Sequence, residues 1–174
     1  MHINSSRGKE VRVPGPDHPI IISPAESKVR VTVAGRIVAE STRALRLEEK
    51  GYSAVYYLPR NDADMSLLVR TEHYTYCPYK GDCAYYSIPI GGSKSENAVW
   101  TYEEPYDAVA NIKEYLAFYA SRVDAIQLDT LSSLENATAA ASQSGTTIER
   151  QVGVDRADGG RAFADRGRDS FGRP

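Results

Sequence analysis

Alternation of apolar and polar residues with a period of two dominates the chain between residues 18 and 126. The clearest example is Lys28–Val33, which is followed by Ala34-Gly35 and then by a second alternating run, Arg36–Glu40. Successive side chains of a strand point to opposite faces of a sheet, and a short turn containing glycine typically joins two antiparallel strands. The pattern therefore predicts a β-hairpin over residues 28–40.

Three more segments predict strands because they are rich in Val, Tyr or Trp and end near turn residues. They are Ala54–Leu58, Ala84–Ile90 and Asn97–Glu103. The segment Thr42–Lys50 fits either a short helix or a strand with Leu45 and Leu47 on one face, and its periodicity leaves both interpretations open.

The segment after Glu103 contains the strongest helix signal. Pro105 and Asp107 are typical of a helix start, although Leu116–Tyr119 also fits a strand that re-enters a sheet. No internal repeat and no strand-helix-strand alternation is visible, which argues against a doubly wound parallel sheet. We predict a mainly β fold of coiled antiparallel sheets with one or two short helices.

The tyrosines mark the extent of the domain, because all 12 lie between Tyr52 and Tyr119. We predict an N-terminal extension over residues 1–17 and a single β domain over residues 18–126. Leu128, Leu131 and Leu134 have helical spacing, but the Arg/Asp/Gly-rich end has too few apolar groups to offset the entropy of ordering. Residues 127–174 are therefore predicted to form a short helix and then a disordered tail.

Composition narrows the possible partners. The 174 residues include 21 basic and 23 acidic side chains, interspersed along the chain, so no basic face is available for phosphate backbones and we expect no nucleic-acid partner. No apolar run approaches the roughly 18 residues of a membrane span. The polar start of the chain does not resemble a secretory signal. We expect a cytoplasmic protein without a membrane partner.

The segment from Thr71 to Tyr86 holds the densest set of reactive side chains, including His73, Cys77, Lys80 and Cys83. Histidine changes charge near neutral pH, and a loop punctuated by proline and glycine can direct several groups to one point. The same residues also fit a purely structural interpretation. In that interpretation the tyrosines belong to strands and Lys80 is a solvated turn residue.

A metal site is the first chemical interpretation of this segment. His73, Cys77 and Cys83 could supply three ligands and Asp82 a fourth, but five residues separate the two cysteines. Structural zinc sites usually place paired cysteines two to four residues apart. The spacing therefore argues against zinc, and we predict no metal site. The chain also has no Gly-x-Gly-x-x-Gly or Walker-type loop, so no cofactor is predicted.

Anion binding is the second chemical interpretation of this segment, and it requires only positive charge and a backbone that a ligand can approach closely. Lys80, with Arg43 or Arg70, supplies positive charge, and the Gly81 backbone permits close approach of a ligand. Tyrosines or Trp100 could stack on a planar group, as a nucleotide-like ligand requires. We expect Lys80 to be exposed, so that its removal changes stability by at most roughly 0.5 kcal/mol, whereas Trp100 is expected in the core.

Four segments in consistent order resemble domain-of-unknown-function family 427 over about residues 18–126. They are Ser41–Leu45, Val55–Pro59, the pattern His73-x-Thr75-x-Cys77-Pro78-x-Lys80-Gly81, and Glu96–Trp100. The resemblance implies a small fold of coiled antiparallel sheets akin to the β-tent architecture. The family is sometimes labelled nucleotidyltransferase-like, but this sequence shows no paired-aspartate site for metal-assisted nucleotidyl transfer.

The resulting hypothesis is a pocket for a small anionic molecule. The predicted ligand-binding residues are Lys80, Gly81, Arg43 and Thr75. His73 and Cys77 are predicted to face the reacting or recognised atom. The sequence leaves open whether the protein is an enzyme and what its oligomeric state is. Two alternatives remain: a protein-interaction module without catalysis, and a thiol redox enzyme that uses Cys77.

Overall fold

The structure, a computed structural model, describes residues 8–130. Within this range the chain forms ten strands and five short 3-10 segments, which confirms the mainly β prediction. The strands are β1 (Ile20–Pro24), β2 (Ser27–Val33), β3 (Arg36–Ser41), β4 (Leu45–Glu49), β5 (Val55–Tyr57), β6 (Val69–Cys77), β7 (Gly81–Ser87), β8 (Val99–Thr101), β9 (Ala117–Phe118) and β10 (Ala125–Thr130). The 3-10 segments are Arg60–Asp62, Met65–Leu67, Pro89–Ser95, Asp107–Ile112 and Ala120–Arg122.

The strands form three antiparallel sheets. Their strand orders are β1-β4-β5, β10-β2-β3 and β6-β7-β8-β9. The third sheet holds most of the reactive segment identified in the sequence, because β6 and β7 form its first hairpin. In the described part of the chain, no helix is long and apolar enough to span a membrane.

The hairpin predicted over residues 28–40 is present as β2 and β3. Ala34 and Gly35 form its turn with φ values of 49° and 74°, the left-handed conformation that tight two-residue hairpin turns require at both positions. The alternating residues Val29, Val31 and Val33 are at most 1% exposed. Their side chains therefore form one buried face of the sheet.

Two segments that the sequence left undecided are resolved. Thr42–Lys50 contains strand β4, which lies between β1 and β5. The helix start near Asp107 is confirmed as a 3-10 segment that ends at Ile112, and the chain then re-enters the third sheet as β9. The strand predicted over Ala84–Ile90 ends at Ser87, because the Gly-rich residues that follow form a 3-10 segment.

The short helix predicted from Gln127 is wrong for residues 127–130, which belong to strand β10. This strand pairs with β2 from Ala125 opposite Thr32 to Thr130 opposite Ser27. The reason is that β2 offers an unpaired edge, and the backbone hydrogen bonds gained there outweigh a weak helical spacing of leucines. The remainder of the predicted helix and the predicted disordered tail lie outside the described residues.

Buried side chains form two core clusters of different composition. The first, here called the valine-rich cluster, contains Val29, Val31, Val33, Val38, Ile88, Val99, Leu116 and Val123 among others. The second, here called the aromatic cluster, contains Tyr57, Tyr79, Tyr85, Trp100 and Tyr102 together with Cys77 and Cys83. The β6–β7 hairpin contributes to the aromatic cluster, which therefore forms the floor of the candidate site.

Candidate functional site

The turn between β6 and β7 directs Lys80 into the protein. The Lys80 amide donates to the Cys77 carbonyl at 3.2 Å, and the Lys80 carbonyl accepts from the Tyr106 amide at 3.1 Å. Gly81 follows with φ of 102°, a backbone conformation that residues with a Cβ rarely adopt. A glycine is therefore required for the hairpin to turn at this point.

Lys80 is buried, so the prediction that it is exposed is wrong. Its residue exposure is 3%. The Nζ atom lies 2.5 Å from Glu49 Oε2, and the two side chains are only 4% and 5% exposed. Two charges removed from water are tolerated together because each neutralises the other, whereas either one alone would be strongly destabilising.

His18 completes the group on the other oxygen of the same carboxylate. The His18 Nε2 atom lies 2.7 Å from Glu49 Oε1, and the His18 side chain is 23% exposed. The imidazole also stacks on the Tyr79 ring, with centroids 4.2 Å apart and planes 10° from parallel. We call these three residues the Lys80–Glu49–His18 cluster; it runs from the buried ammonium to a partly exposed imidazole.

An N-terminal strap, residues 8–18, carries His18 and lies against the β6–β7 hairpin. The Arg12 amide donates to the Pro78 carbonyl at 2.9 Å, and the Tyr76 hydroxyl donates to the Glu10 carbonyl at 2.5 Å. Lys9 Nζ pairs with Asp82 at 2.5 Å. The predicted extension over residues 1–17 thus includes residues that pack against the β6–β7 hairpin next to Lys80.

Both cysteines lie in the interior beside the cluster. Cys77 is 1% exposed, and its Sγ lies 3.8 Å from Lys80 Nζ. Cys83 is 2% exposed and stands opposite Thr75 in the β6–β7 register. Burial raises the pKa of the Cys83 thiol to about 12, so this group stays protonated at neutral pH. Both cysteines are free.

His73 does not meet Cys77, although the sequence predicted that both face one atom. His73 is exposed and lies edge-on to Tyr85 with centroids 4.4 Å apart, whereas Cys77 is buried. Four residues of extended strand separate their backbones by about 13 Å. Thr75, between them, is buried, and its Oγ1 forms a hydrogen bond with the Tyr85 hydroxyl at 2.9 Å. Thr75 is therefore tied to the aromatic cluster by a hydrogen bond.

Arg43 also lies apart from Lys80. Its Nη2 pairs with Asp62 Oδ1 at 2.6 Å, and its side chain is 65% exposed. Arg43 precedes β4 while Glu49 ends it, and the strand between them spans about 13 Å. Burial acts to raise the pKa of Asp62, but hydrogen bonds from Arg43 and Ser41 prevail and hold that pKa below its usual value. This pair stabilises a different corner of the fold.

The phenols around the cluster act as neutral groups. Burial raises the pKa values of Tyr57, Tyr85 and Tyr102 well above the ordinary value. Within residues 8–130, no group of three or more His, Cys, Asp or Glu side chains is arranged to hold a metal ion. The charged groups of the site are therefore Lys80 and Glu49, with the His18 imidazole beside them.

Glu49 and His18 are the two site residues that the sequence interpretation missed. Leu45, Leu47 and Glu49 lie on one face of β4, and a carboxylate on an apolar face is a signal for a buried, paired charge. His18 gives no comparable signal, because 62 residues separate it from Lys80 and only the tertiary fold brings the two near the same carboxylate.

A protein-family model described as "Domain of unknown function (DUF427)" matches residues 21–129. The chain belongs to this family. The match includes Glu49, Cys77 and Lys80, whereas His18 and the rest of the strap precede it. No curated protein matches the chain.

Proposed function

We propose that this DUF427 domain binds a small anionic molecule at the Lys80–Glu49–His18 cluster. The observation that supports the proposal is the Lys80–Glu49 ion pair, in which both side chains are about 95% buried. Burying an ion pair brings no reliable gain in stability, since well-packed apolar residues of similar volume often serve the fold equally well or better. A buried ion pair beside a partly exposed histidine instead brings an ammonium and an imidazole within hydrogen-bond distance of one carboxylate, which is a chemically capable constellation.

The ligand would approach the cluster from the side of His18, which is its partly exposed member. An incoming carboxylate or phosphate, as on a nucleotide, competes with Glu49 for the Lys80 ammonium. The apolar floor of the aromatic cluster strengthens that attraction, because charge interactions are screened less in the interior than in water. The Tyr79 ring stacks on the His18 imidazole and thereby holds the plane of that imidazole where the ligand would approach.

The same cluster can move a proton. Glu49 accepts a hydrogen bond from, or donates one to, the His18 ring at Nε2 and thereby fixes the orientation of the imidazole. A carboxylate-oriented imidazole is a common general acid–base arrangement. The proposed role of His18 is to give a proton to the bound ligand or take one from it, while Lys80 holds the ligand's negative charge.

A thermal-shift screen tests this function. Nucleotides, organic acids and phosphates would be added to the wild type, to His18→Gln and to Lys113→Gln, which changes an exposed lysine that is not a member of the cluster. A ligand that binds only the folded state raises the unfolding temperature according to its affinity. We expect at least one anion to raise it in the wild type and in Lys113→Gln and to lose most of this effect in His18→Gln. No anion response, or an equal response in all three proteins, would refute the proposal.

A protein-interaction module is the second candidate, favoured by the exposed residues of β6. This strand is at the edge of its sheet, and its pairing with β7 is interrupted between Arg70 and Tyr74. Val69 and Tyr74 are 53% and 72% exposed. An extended segment of a partner protein could add to such an edge. In that case Tyr74→Ser would abolish partner binding while His18→Gln would not.

A further inference from the structure

A second polar site lies outside the Lys80–Glu49–His18 cluster. The 3-10 segment Pro89–Ser95, the residues after it and Arg122 surround a cavity of about 310 Å³. The residues that line it are Ser93, Lys94, Glu96, Asn97 and Arg122. Three of them are exposed, so the cavity is open to solvent and accessible to a dissolved ligand.

Arg122 presents a guanidinium group that is held in place. Its Nη1 donates to the carbonyls of Glu96 and Asn97 at 2.9 and 3.1 Å, and the group lies 4.9 Å above the Tyr119 ring. Among residues 8–130, no carboxylate forms an ion pair with it. A positive charge that is already oriented and lacks a counter-ion loses little entropy when it binds an anion.

Asn97 adds a second fixed donor. Its Oδ1 accepts from Thr71 Oγ1 at 2.6 Å, and its backbone amide donates to Ser87 Oγ at 2.9 Å. The short distance to Thr71 is typical of an O–H···O bond, which assigns the amide oxygen to Thr71. The Asn97 NH₂ group is then left as the donor of this side chain at the cavity.

Lys94 and Ser93 complete the lining with more adaptable groups. Lys94 Nζ lies 3.5 Å from Asp124, and the two side chains are 53% and 46% exposed. An exposed pair at this distance is worth little, so the ammonium can turn toward a ligand at small cost. Glu96 is the one acidic residue of the lining, which leaves two cations against one carboxylate.

We propose that this cavity binds an oxyanion, a phosphate or a carboxylate group. Arg122 and Asn97 supply rigid donors, while Lys94 adds charge and the Ser93 hydroxyl adds a further donor. Hydrogen bonds from charged donors to an oxyanion are among the strongest in proteins. The inference does not depend on the proposed function, because the two sites share no residue.

The test is a titration of the ¹⁵N-labelled protein with inorganic phosphate and, separately, with acetate, at an ionic strength held constant with sodium chloride. We expect saturable shifts of the backbone amides of residues 93–97. Saturation by phosphate alone, by acetate alone or by both would support the site and identify its preferred group. Shifts that do not saturate, or that sodium chloride alone reproduces, would overturn it.

Two variants assign the binding to the cavity. Lys94→Glu reverses an exposed charge and is expected to weaken binding about tenfold, because it turns attraction into repulsion. Asn97→Asp keeps a residue type that tolerates the φ of 48° at this position and puts negative charge at the cavity, so the same loss is expected. Lys113→Glu, a matched reversal at an exposed lysine, should leave the affinity unchanged. Equal affinity in all four proteins would contradict the assignment.

Discussion

The two core clusters differ in whether their buried side chains require hydrogen-bond partners. The valine-rich cluster consists mostly of aliphatic side chains that need only to be covered. In the aromatic cluster, Trp100 Nε1 donates to the Tyr57 hydroxyl at 3.2 Å, and Thr75 is bonded to the Tyr85 hydroxyl. Buried polar groups are costly unless each finds its partner, so the aromatic cluster tolerates substitution less well. The valine-rich cluster therefore contributes to stability alone, whereas the aromatic cluster both stabilises the fold and surrounds the candidate site.

Trp100→Ala should give the largest effect. Trp100 is 5% exposed and packs against the rings of Tyr57 and Tyr119. Its truncation should lower the free energy of unfolding by about 3–5 kcal/mol, through lost burial and the cavity left behind. Ile88→Val in the valine-rich cluster should cost only about 0.5–1.5 kcal/mol. Urea unfolding of both variants measures the difference, and similar losses would contradict the contrast.

Lys80→Met should be nearly as harmful, because it leaves Glu49 as a buried carboxylate without its ammonium partner. Removing one member of a buried ion pair typically costs about 3–5 kcal/mol. This expectation replaces the loss of at most roughly 0.5 kcal/mol that an exposed lysine predicted. A urea midpoint unchanged from that of the wild type would mean that the charge of Glu49 is not confined to the interior.

Removing residues 127–174 should be moderately destabilising, because it deletes most of β10. Residues 127–130 pair with residues 27–30 of β2, and a few backbone hydrogen bonds at about 1 kcal/mol each are lost with them. A chain that ends at Thr130 keeps this pairing and is the matched control. Equal unfolding midpoints for the two truncated chains would show that residues 127–130 add nothing to the stability of the domain.

Sequence reasoning succeeded where the information is local. The alternation of residues 28–40 and the turn at Ala34-Gly35 determine a hairpin within 13 residues, so the pattern predicted it correctly. It failed at residues 127–130, because strand β10 depends on an edge that β2 provides about 100 residues earlier. The local strand propensity of a segment does not reveal such a distant pairing partner.

In the candidate site, too, the sequence predicts the local features but not the contacts between distant residues. The turn that carries Lys80 was recognised from its proline and glycine, but the burial of Lys80 depends on Glu49, 31 residues away. Charge alone groups Arg43 with Lys80, whereas in the fold Arg43 pairs with Asp62. Residue type indicated which side chains can do chemistry, whereas only the fold determines which of them meet.

The Arg43–Asp62 pair is more exposed than the Lys80–Glu49 pair, and its loss should have a smaller effect on stability. Because the pKa of Asp62 is lowered in the folded protein, the stability it contributes is present above the unfolded-state value of about 3.8 and is lost as the pH falls through its lower folded-state value. Urea midpoints between pH 6 and pH 2 should therefore fall less steeply in Asp62→Asn than in the wild type. An unchanged slope would mean that the Arg43–Asp62 pair does not contribute.

The smallest expected effect is the reaction of the two cysteines with thiol reagents in the folded protein. Cys77 and Cys83 are at most 2% exposed, and the pKa of Cys83 is raised to about 12 by burial. The folded protein should react with iodoacetamide far more slowly than a free thiol at pH 7.5, and both thiols should react after unfolding in urea. Rapid alkylation of Cys77 in the folded protein, located by peptide mass spectrometry, would instead support a thiol redox enzyme that uses Cys77.

The central claim is that the Lys80–Glu49 pair serves binding rather than folding. The most direct measurement compares the wild type with the double variant Glu49→Leu, Lys80→Met by urea unfolding and by thermal shift with the same nucleotides, organic acids and phosphates. Since apolar residues can replace a buried ion pair without loss, the free energy of unfolding should stay within about 1 kcal/mol of the wild type or rise, while the anion-induced shift disappears. A double variant as unstable as Lys80→Met, or one that still responds to the anion, would contradict the account.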